Sequence, residues 1–416
     1  MSDVLFVNDT SSGTNWGSQA TSKALRKLIL DADSNIRATR YKSTLRKFES
    51  NPHLDARQYL PSAIRNFAES ALRFDLPGMY NSTRFKDALP RRYAQFEEYA
   101  DAALEGGVFE STLDRISEVD TLVINGEGLV YTSEDRCTRH LFFLAYIAKE
   151  LLDTECFVVN LTIDPYDDTI LKMAEKVLPM VDGVVFREPV SAQKYGNLCQ
   201  TSSSGADPVF SMRNYNSRQE MIEDYDKGKI DVRPYGDRDF DPSEPYVCVA
   251  GSSKFPTESS YNVEGYRQLC GGLKNMGIQV LLIVSAKSDE KLLAPVSEEM
   301  DVSMLGLNVS IEDSLKVMSN SSLYIGGRYH PMIFSAKGGV PIIPLSANTH
   351  KIEGLLQLLN LDRYVYDCLT FHEQIDEILD KSRSYLDDPS EFESTKEKSD
   401  ELAEKARLNV KHLESI

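Results

Sequence analysis

The chain has 416 residues, enough for two or three domains with full hydrophobic cores. Its 64 acidic and 46 basic side chains leave a formal net charge of −18, which argues against nucleic acid or an anionic membrane surface as a general partner. An anionic substrate would need a local basic pocket, so single arginines at strand ends become informative.

The six cysteines (137, 156, 199, 248, 270 and 368) are scattered, with no CxxC pair, and read as reduced thiols with no metal site. The opening MSDVLFVNDTSSG reads as neither a signal peptide nor a membrane anchor. No window approaches the ~20 apolar residues a spanning helix needs, and the expected location is cytoplasmic.

In chain order, residues 4–8 form an apolar strand that enters a polar loop, 9–17, before a helix at 18–30. Strand, loop and helix make the first unit of an α/β domain. Asn15 and the glycines of the loop suit a polar ligand, although a plain turn would read the same way. Residues 41–118 are expected to be a helical insertion, with helices at 56–72 and 84–104. Its dense tyrosines and arginines offer a surface for a sugar acceptor. A strand at 120–124 then ends in Asn125-Gly126-Glu127-Gly128. A carboxylate flanked by glycines at a strand's carboxyl end is placed for chemistry or for sugar hydroxyls. Further units follow: helix 135–152, strand 156–161, helix 169–178 and strand 183–186. The last delivers Arg187, a cation just past a buried strand; an ion pair with Glu188 or Asp207 is the plainer account.

The first domain is expected to close at about 210. Residues 211–245 are charged and turn-rich and read as linker and surface excursion. Alternation restarts at 246–250 and runs through helix 262–276, strand 278–284, helix 288–299 and helix 311–319, to about 390. A charged helix at 391–414 carries an apolar line that would let it cross back onto the first domain. The richest stretch is 321–360. A strand runs into Gly326-Gly327, and Arg328, Tyr329 and His330 follow at a helix start. Free N–H groups and the helix dipole there favour an anion. Two sets of alternating strands and helices imply two doubly wound parallel-sheet domains, with the site in the cleft between them.

Several of these motifs resemble the polysaccharide pyruvyl transferases: NDTSSGTNWGSQ, INGEGLVY, GVVFREPVSAQKYG, GADPVF and, most closely, 311–360. The chain departs from the pattern at Glu127, where glycine is common, and at Pro331, where a small residue is usual. The resemblance implies two Rossmann-like domains in a GT-B-like arrangement. It also implies transfer of the pyruvyl group of phosphoenolpyruvate to two hydroxyls of a sugar, with neither metal nor cofactor. The acceptor would be a sugar or glycan, free or lipid-linked, the latter met at the inner face of the membrane. By motif, Arg187, Arg328 and His330 would line the phosphoenolpyruvate pocket with Tyr329, Gly327 and Lys351. Asn15, Gly126 and Glu127 would face them, with His330 and Glu127 as acid and base. A GT-B glycosyltransferase using a nucleotide sugar, or a non-catalytic carbohydrate-binding relative, are the alternatives.

Overall fold

The computed structural model describes residues 2–46, 89–105, 109–132, 135–215, 217–233, 240–254 and 262–414. Two six-stranded sheets organise the chain. The first has the order β2-β1-β3-β4-β5-β6 and is parallel throughout. Its strands are β1 (Asp3–Asp9), β2 (Asn35–Tyr41), β3 (Thr121–Val130), β4 (Glu155–Ile163), β5 (Gly183–Phe186) and β6 (Ser202–Ser204). The second has the order β12-β11-β8-β9-β10-β7. Its strands are β7 (Val232–Arg233), β8 (Tyr246–Ser252), β9 (Gln279–Ile283), β10 (Ser303–Leu305), β11 (Leu323–Gly327) and β12 (Ile342–Pro344). The central strands read as near-continuous Val, Ile and Leu because helices cover both faces. β8, for example, is buried at every position.

The expectation of a linker at 211–245 is corrected. Helix Arg218–Asp226 seats Met221 in the core, and β7 pairs antiparallel with β10 at the sheet edge. Ile230, Val232 and Phe240 are buried, and Phe240 packs edge-to-face on Tyr225 and Tyr246 at 5.8 and 5.0 Å. Four buried apolar residues spread through a charged stretch do not form a periodic signal, yet each fills a site in the second domain. β3 is longer than the strand expected at 120–124, so Glu127 lies within it rather than beyond its end. Within the expected insertion, helices Lys42–Arg46, Phe96–Leu104 and Glu110–Ser117 are present. Most of that insertion, including the helix expected at 56–72, lies outside the described residues.

The domains are tied together by polar contacts as well as core. The Trp16 backbone N–H donates to the Ser285 carbonyl at 3.0 Å, and its ring packs among second-domain side chains. His350 of the second domain meets Ser191 (2.9 Å), Glu188 (3.4 Å) and Asp164 (3.2 Å) of the first. Burial opposes ionisation of Glu188, but its hydrogen bonds to His350 and Ser191 hold its pKa below the usual value. The chain ends in helix Glu393–Ala406 and the 3₁₀ segment Arg407–Leu413. Asn409 accepts from the Asn160 N–H (2.8 Å) and donates to the Ala206 carbonyl (2.9 Å), and Val410 and Leu413 pack against Val4 and Phe6.

Candidate functional site

A polar cavity of about 510 Å³ opens between the carboxyl ends of the two sheets. The first domain supplies Asn15, Ser18, Lys42, Glu127 and Arg187 to its wall, and the second supplies Ser288, Arg328, His330, Asn348 and Lys351.

Arg187 follows β5 and is 2% exposed. Its Nε donates to Thr162 Oγ1 on β4 at 2.7 Å, and Nη1 donates to Asp207 Oδ2 at 3.3 Å. The guanidinium lies 4.4 Å from the centre of the Tyr329 ring, which presents its π face to the cation. Tyr329 is thus the floor beneath Arg187, and burial raises the pKa of its hydroxyl.

Asp207 joins the two domains behind the cavity wall, where it meets Arg187 and His330. Its fully buried carboxylate accepts from Arg187, from the Val209 N–H (3.0 Å), from Thr21 Oγ1 (3.3 Å) and from His330 Nε2 (3.2 Å). Burial opposes its ionisation; the charges of His330 and Arg187 outweigh that and hold its pKa below the ordinary carboxylate value. His330 Nε2 is also 2.8 Å from Thr21 Oγ1. A carboxylate only accepts, so this network assigns a proton to Nε2 and leaves Nδ1 as the other ring nitrogen, turned away from Asp207. Nδ1 has no hydrogen-bond partner among the described residues, and the ring lies over Gly17, where a Cβ would overlap it.

Arg328 caps helix Tyr329–Gly338 and is not a free cation. Its Nε and Nη2 both donate to Asp289 Oδ1, at 2.8 and 2.5 Å, and Nη2 also donates to Ser288 Oγ at 2.6 Å. Asp289 is 1% exposed, and its other oxygen accepts from Ser285 and Ala286 N–H groups at 3.0 Å each. Arg328 is therefore fixed by a carboxylate on helix Lys287–Met300, and its Nη1 has no protein partner among the described residues. Lys351 opens helix Lys351–Leu358 and, among the described residues, donates only to Asn348 Oδ1, at 2.6 Å. Burial, then the charges of Arg187 and Arg328, push its amine down to about 7.

Glu127 is 5% exposed and sits in a left-handed conformation, φ 45°, at the register shift of β3. Its carboxylate accepts from Thr10 Oγ1 (2.8 Å) and Ser18 Oγ (3.3 Å), with Lys42 at 3.7 Å. A non-glycine residue held there is strained, which is a mark of functional positions.

Three sequence-predicted residues take different places. Asn15 lines the cavity, but its Oδ1 accepts from the Ser18 N–H and caps helix Trp16–Asp31. Gly126 and Gly327 are packing glycines and do not line the cavity: a Cβ would press on Leu161 at the first and on the Ser346 carbonyl at the second. Four residues were missed: Asp207 as the partner of His330, Asp289, Thr21 and Gly17. Asp207 was legible only as one of two possible partners for Arg187. Gly17 was legible only as one of the glycines of 9–17, and nothing local marks Thr21 or Asp289.

Two parallel-sheet α/β domains meeting over a polar cleft define a GT-B-type protein. Solved structures of that shape include the UDP-GlcNAc 2-epimerase from Neisseria meningitidis bound to UDP-GlcNAc, with 10% identity, TM-score 0.54 and 99% of each chain covered. A spinosyn rhamnosyltransferase complexed with spinosyn aglycone shares 12% identity at TM-score 0.51, covering 99% of this chain and 100% of that one. At such identities the likeness concerns the fold alone. No curated protein matches the chain in sequence. The model of the polysaccharide pyruvyl transferase family matches residues 15–349, and the chain belongs to that family. Among the described residues no helix is long and apolar enough to cross a membrane.

Proposed function

We propose that the protein transfers the pyruvyl group of phosphoenolpyruvate to two hydroxyls of a sugar in a glycan or glycan precursor, forming a cyclic ketal and releasing phosphate. The observation that carries this reading is the shared carboxylate of Asp207, which holds a cation, Arg187, and an acid–base group, His330, on one cavity wall. Arg328 and Lys351 supply further positive charge to the same cavity. Phosphoenolpyruvate is a small, dense anion, and guanidinium forks suit both its carboxylate and its phosphate. The Arg187–Asp207 and Arg328–Asp289 pairs fix the two guanidinium groups in place before substrate arrives, so little side-chain entropy is lost on binding.

The chemistry begins with a proton delivered to the methylene carbon, for which protonated Nδ1 of His330 is the candidate donor. The adjacent carbon becomes cationic, and a sugar hydroxyl attacks it as Glu127 takes the hydroxyl proton. Phosphate leaves with the bridging oxygen, and the second hydroxyl closes the ketal. Asp207 stabilises the imidazolium and fixes its tautomer, as a carboxylate partner of histidine does in acyl-transfer triads.

The test is incubation with phosphoenolpyruvate and a panel of glycosides, reading released phosphate and the ketal methyl signal by NMR. Arg328→Ala and His330→Ala should abolish phosphate release with the fold intact by circular dichroism. Near wild-type turnover in either, or thermal stabilisation by nucleotide sugars and not by phosphoenolpyruvate, would sink the reading.

A further inference from the structure

β3, which carries Glu127, ends at Val130, and its neighbour β4 ends at Ile163. The segments that follow are zipped together. The Asp164 N–H donates to the Val130 carbonyl at 2.9 Å, and the Tyr166 N–H donates to the Tyr131 carbonyl at 2.7 Å. These bonds set the rings of Tyr131 and Tyr166 edge to face, with centroids 5.7 Å apart. Tyr131 is half-buried and lines the cavity, whereas Tyr166 is 62% exposed. Scattered apolar side chains in solvent are ordinary, but an exposed ring held against a cavity-wall residue is placed to meet whatever leaves the cavity.

A carboxylate completes the corner. Asp164 Oδ2 meets the backbone N–H and Nδ1 of His350, both at 3.2 Å, and Oδ1 has no hydrogen-bond partner among the described residues. Partial burial, then the nearby charge of Asp164, raises the pKa of the Tyr166 hydroxyl and keeps it a neutral phenol. Aromatic faces beside a carboxylate oxygen match a sugar. The C–H bonds of a pyranose face carry slight positive charge and suit the negative face of a ring, while its hydroxyls donate to the carboxylate. A phosphate or diphosphate matches poorly, because Asp164 repels it.

We propose that Tyr166 and Tyr131, with Asp164, form a subsite for the sugar that precedes the acceptor sugar, so that the preferred acceptor is a neutral glycan of at least two sugars. This rests on the pyruvyl-transfer reading and goes further by naming the acceptor class. The cavity volume of about 510 Å³ falls in the lower half of the ~300–1,000 Å³ typical of ligand pockets. With phosphoenolpyruvate against the cationic wall, the space beside Glu127 takes one ring. The next ring lies outside, and Tyr131 is the wall residue that leads to Tyr166. Backbone bonds between strand ends already fix this corner, so binding there orders little.

The test pairs methyl glycosides of the common hexoses with methyl disaccharides that carry the same sugar at the non-reducing end. For phosphate release, wild-type kcat/KM should be about 3- to 10-fold higher on the disaccharide, the scale of one aromatic stacking contact. Tyr166→Ala should erase that ratio and Tyr166→Phe should keep it; the side chain is exposed, so neither change touches the core. A second readout needs no turnover. Saturation-transfer NMR without phosphoenolpyruvate should label the reducing-side ring of the disaccharide with wild type and Tyr166→Phe, and lose that label with Tyr166→Ala. Equal kcat/KM on the two acceptors, or a disaccharide preference that survives Tyr166→Ala, would overturn the subsite and leave pyruvyl transfer standing. Absence of Tyr166-dependent labelling of every disaccharide, whether or not a nucleoside diphosphate is labelled instead, would overturn it as well. Tyr166-dependent labelling without phosphate release on any acceptor would sink the pyruvyl-transfer reading and leave a sugar site at Tyr166.

Discussion

Asp207→Asn is the substitution that separates binding from chemistry at this site. The side chain keeps its shape and loses its charge. Asp207 is fully buried and accepts four hydrogen bonds, from Arg187, His330, Thr21 and the Val209 N–H. Breaking a buried ion pair at one partner costs about 3–5 kcal/mol. Arg187 retains Thr162 and the Tyr329 face and borders the cavity, which sets the loss near the lower end, about 3 kcal/mol. The sign with pH follows from the depressed pKa. The stabilisation is present above the unfolded carboxylate value, about 4, and is lost as pH falls through the lower folded value. The gap between wild type and variant in urea denaturation should therefore be full at neutral pH and close in acid. Phosphate release should drop by about 10²–10⁴-fold, because His330 loses the carboxylate that fixes its tautomer and stabilises its charged form. Phosphoenolpyruvate should bind at least as tightly as before, since the cavity has lost one negative charge. Turnover per folded molecule equal to wild type, or weaker phosphoenolpyruvate binding with unchanged turnover, would refute the assignment of Asp207 to His330.

Gly17→Ala would place a Cβ within the His330 ring position; it should suppress phosphate release while leaving the circular dichroism spectrum and phosphoenolpyruvate binding close to wild type. Glu127→Gln keeps an acceptor for Thr10 and removes the charge; kcat should fall by about 100-fold with little change in phosphoenolpyruvate affinity, checked by phosphate release and calorimetry. Lys337 is buried, donates to the Phe210 carbonyl at 2.8 Å across the domain boundary, and is pushed down to about 8 by burial. The unfolded chain keeps that proton up to about 10.4, so between the two values the unfolded state binds more protons and stability rises with pH. Lys337→Met should flatten this rise in urea midpoints measured from about pH 8 to 10.

The parts of this protein legible in the sequence are those encoded by local pattern. Buried parallel strands read as unbroken apolar runs, so β1, β4, β5, β8, β9 and β11 stand out. The edge strands of the first sheet do not: β2 is half exposed, and β6 is three serines. The stretch containing β7 hides its core residues among charges. The site divides the same way. Arg187, Arg328 and His330 are marked by their position just past a strand, and the glycines beside them drew attention for the wrong reason. Gly126 and Gly327 are required by packing against Leu161 and Ser346, whereas Gly17, in the first turn of helix Trp16–Asp31, is the one that makes room for the histidine.

By itself the sequence determines two α/β domains, the strand ends that carry polar residues, and the family to which the motifs belong. These depend on hydrophobic period and short spacings, which act within a few residues. Tertiary structure alone decides the pairings. His330 and Asp207 are 123 positions apart, and Arg328 and Asp289 are 39 apart. A hydrogen bond requires heavy atoms within about 3 Å, and which carboxylate reaches which cation is set only when both sheets have packed and their carboxyl ends face one cavity.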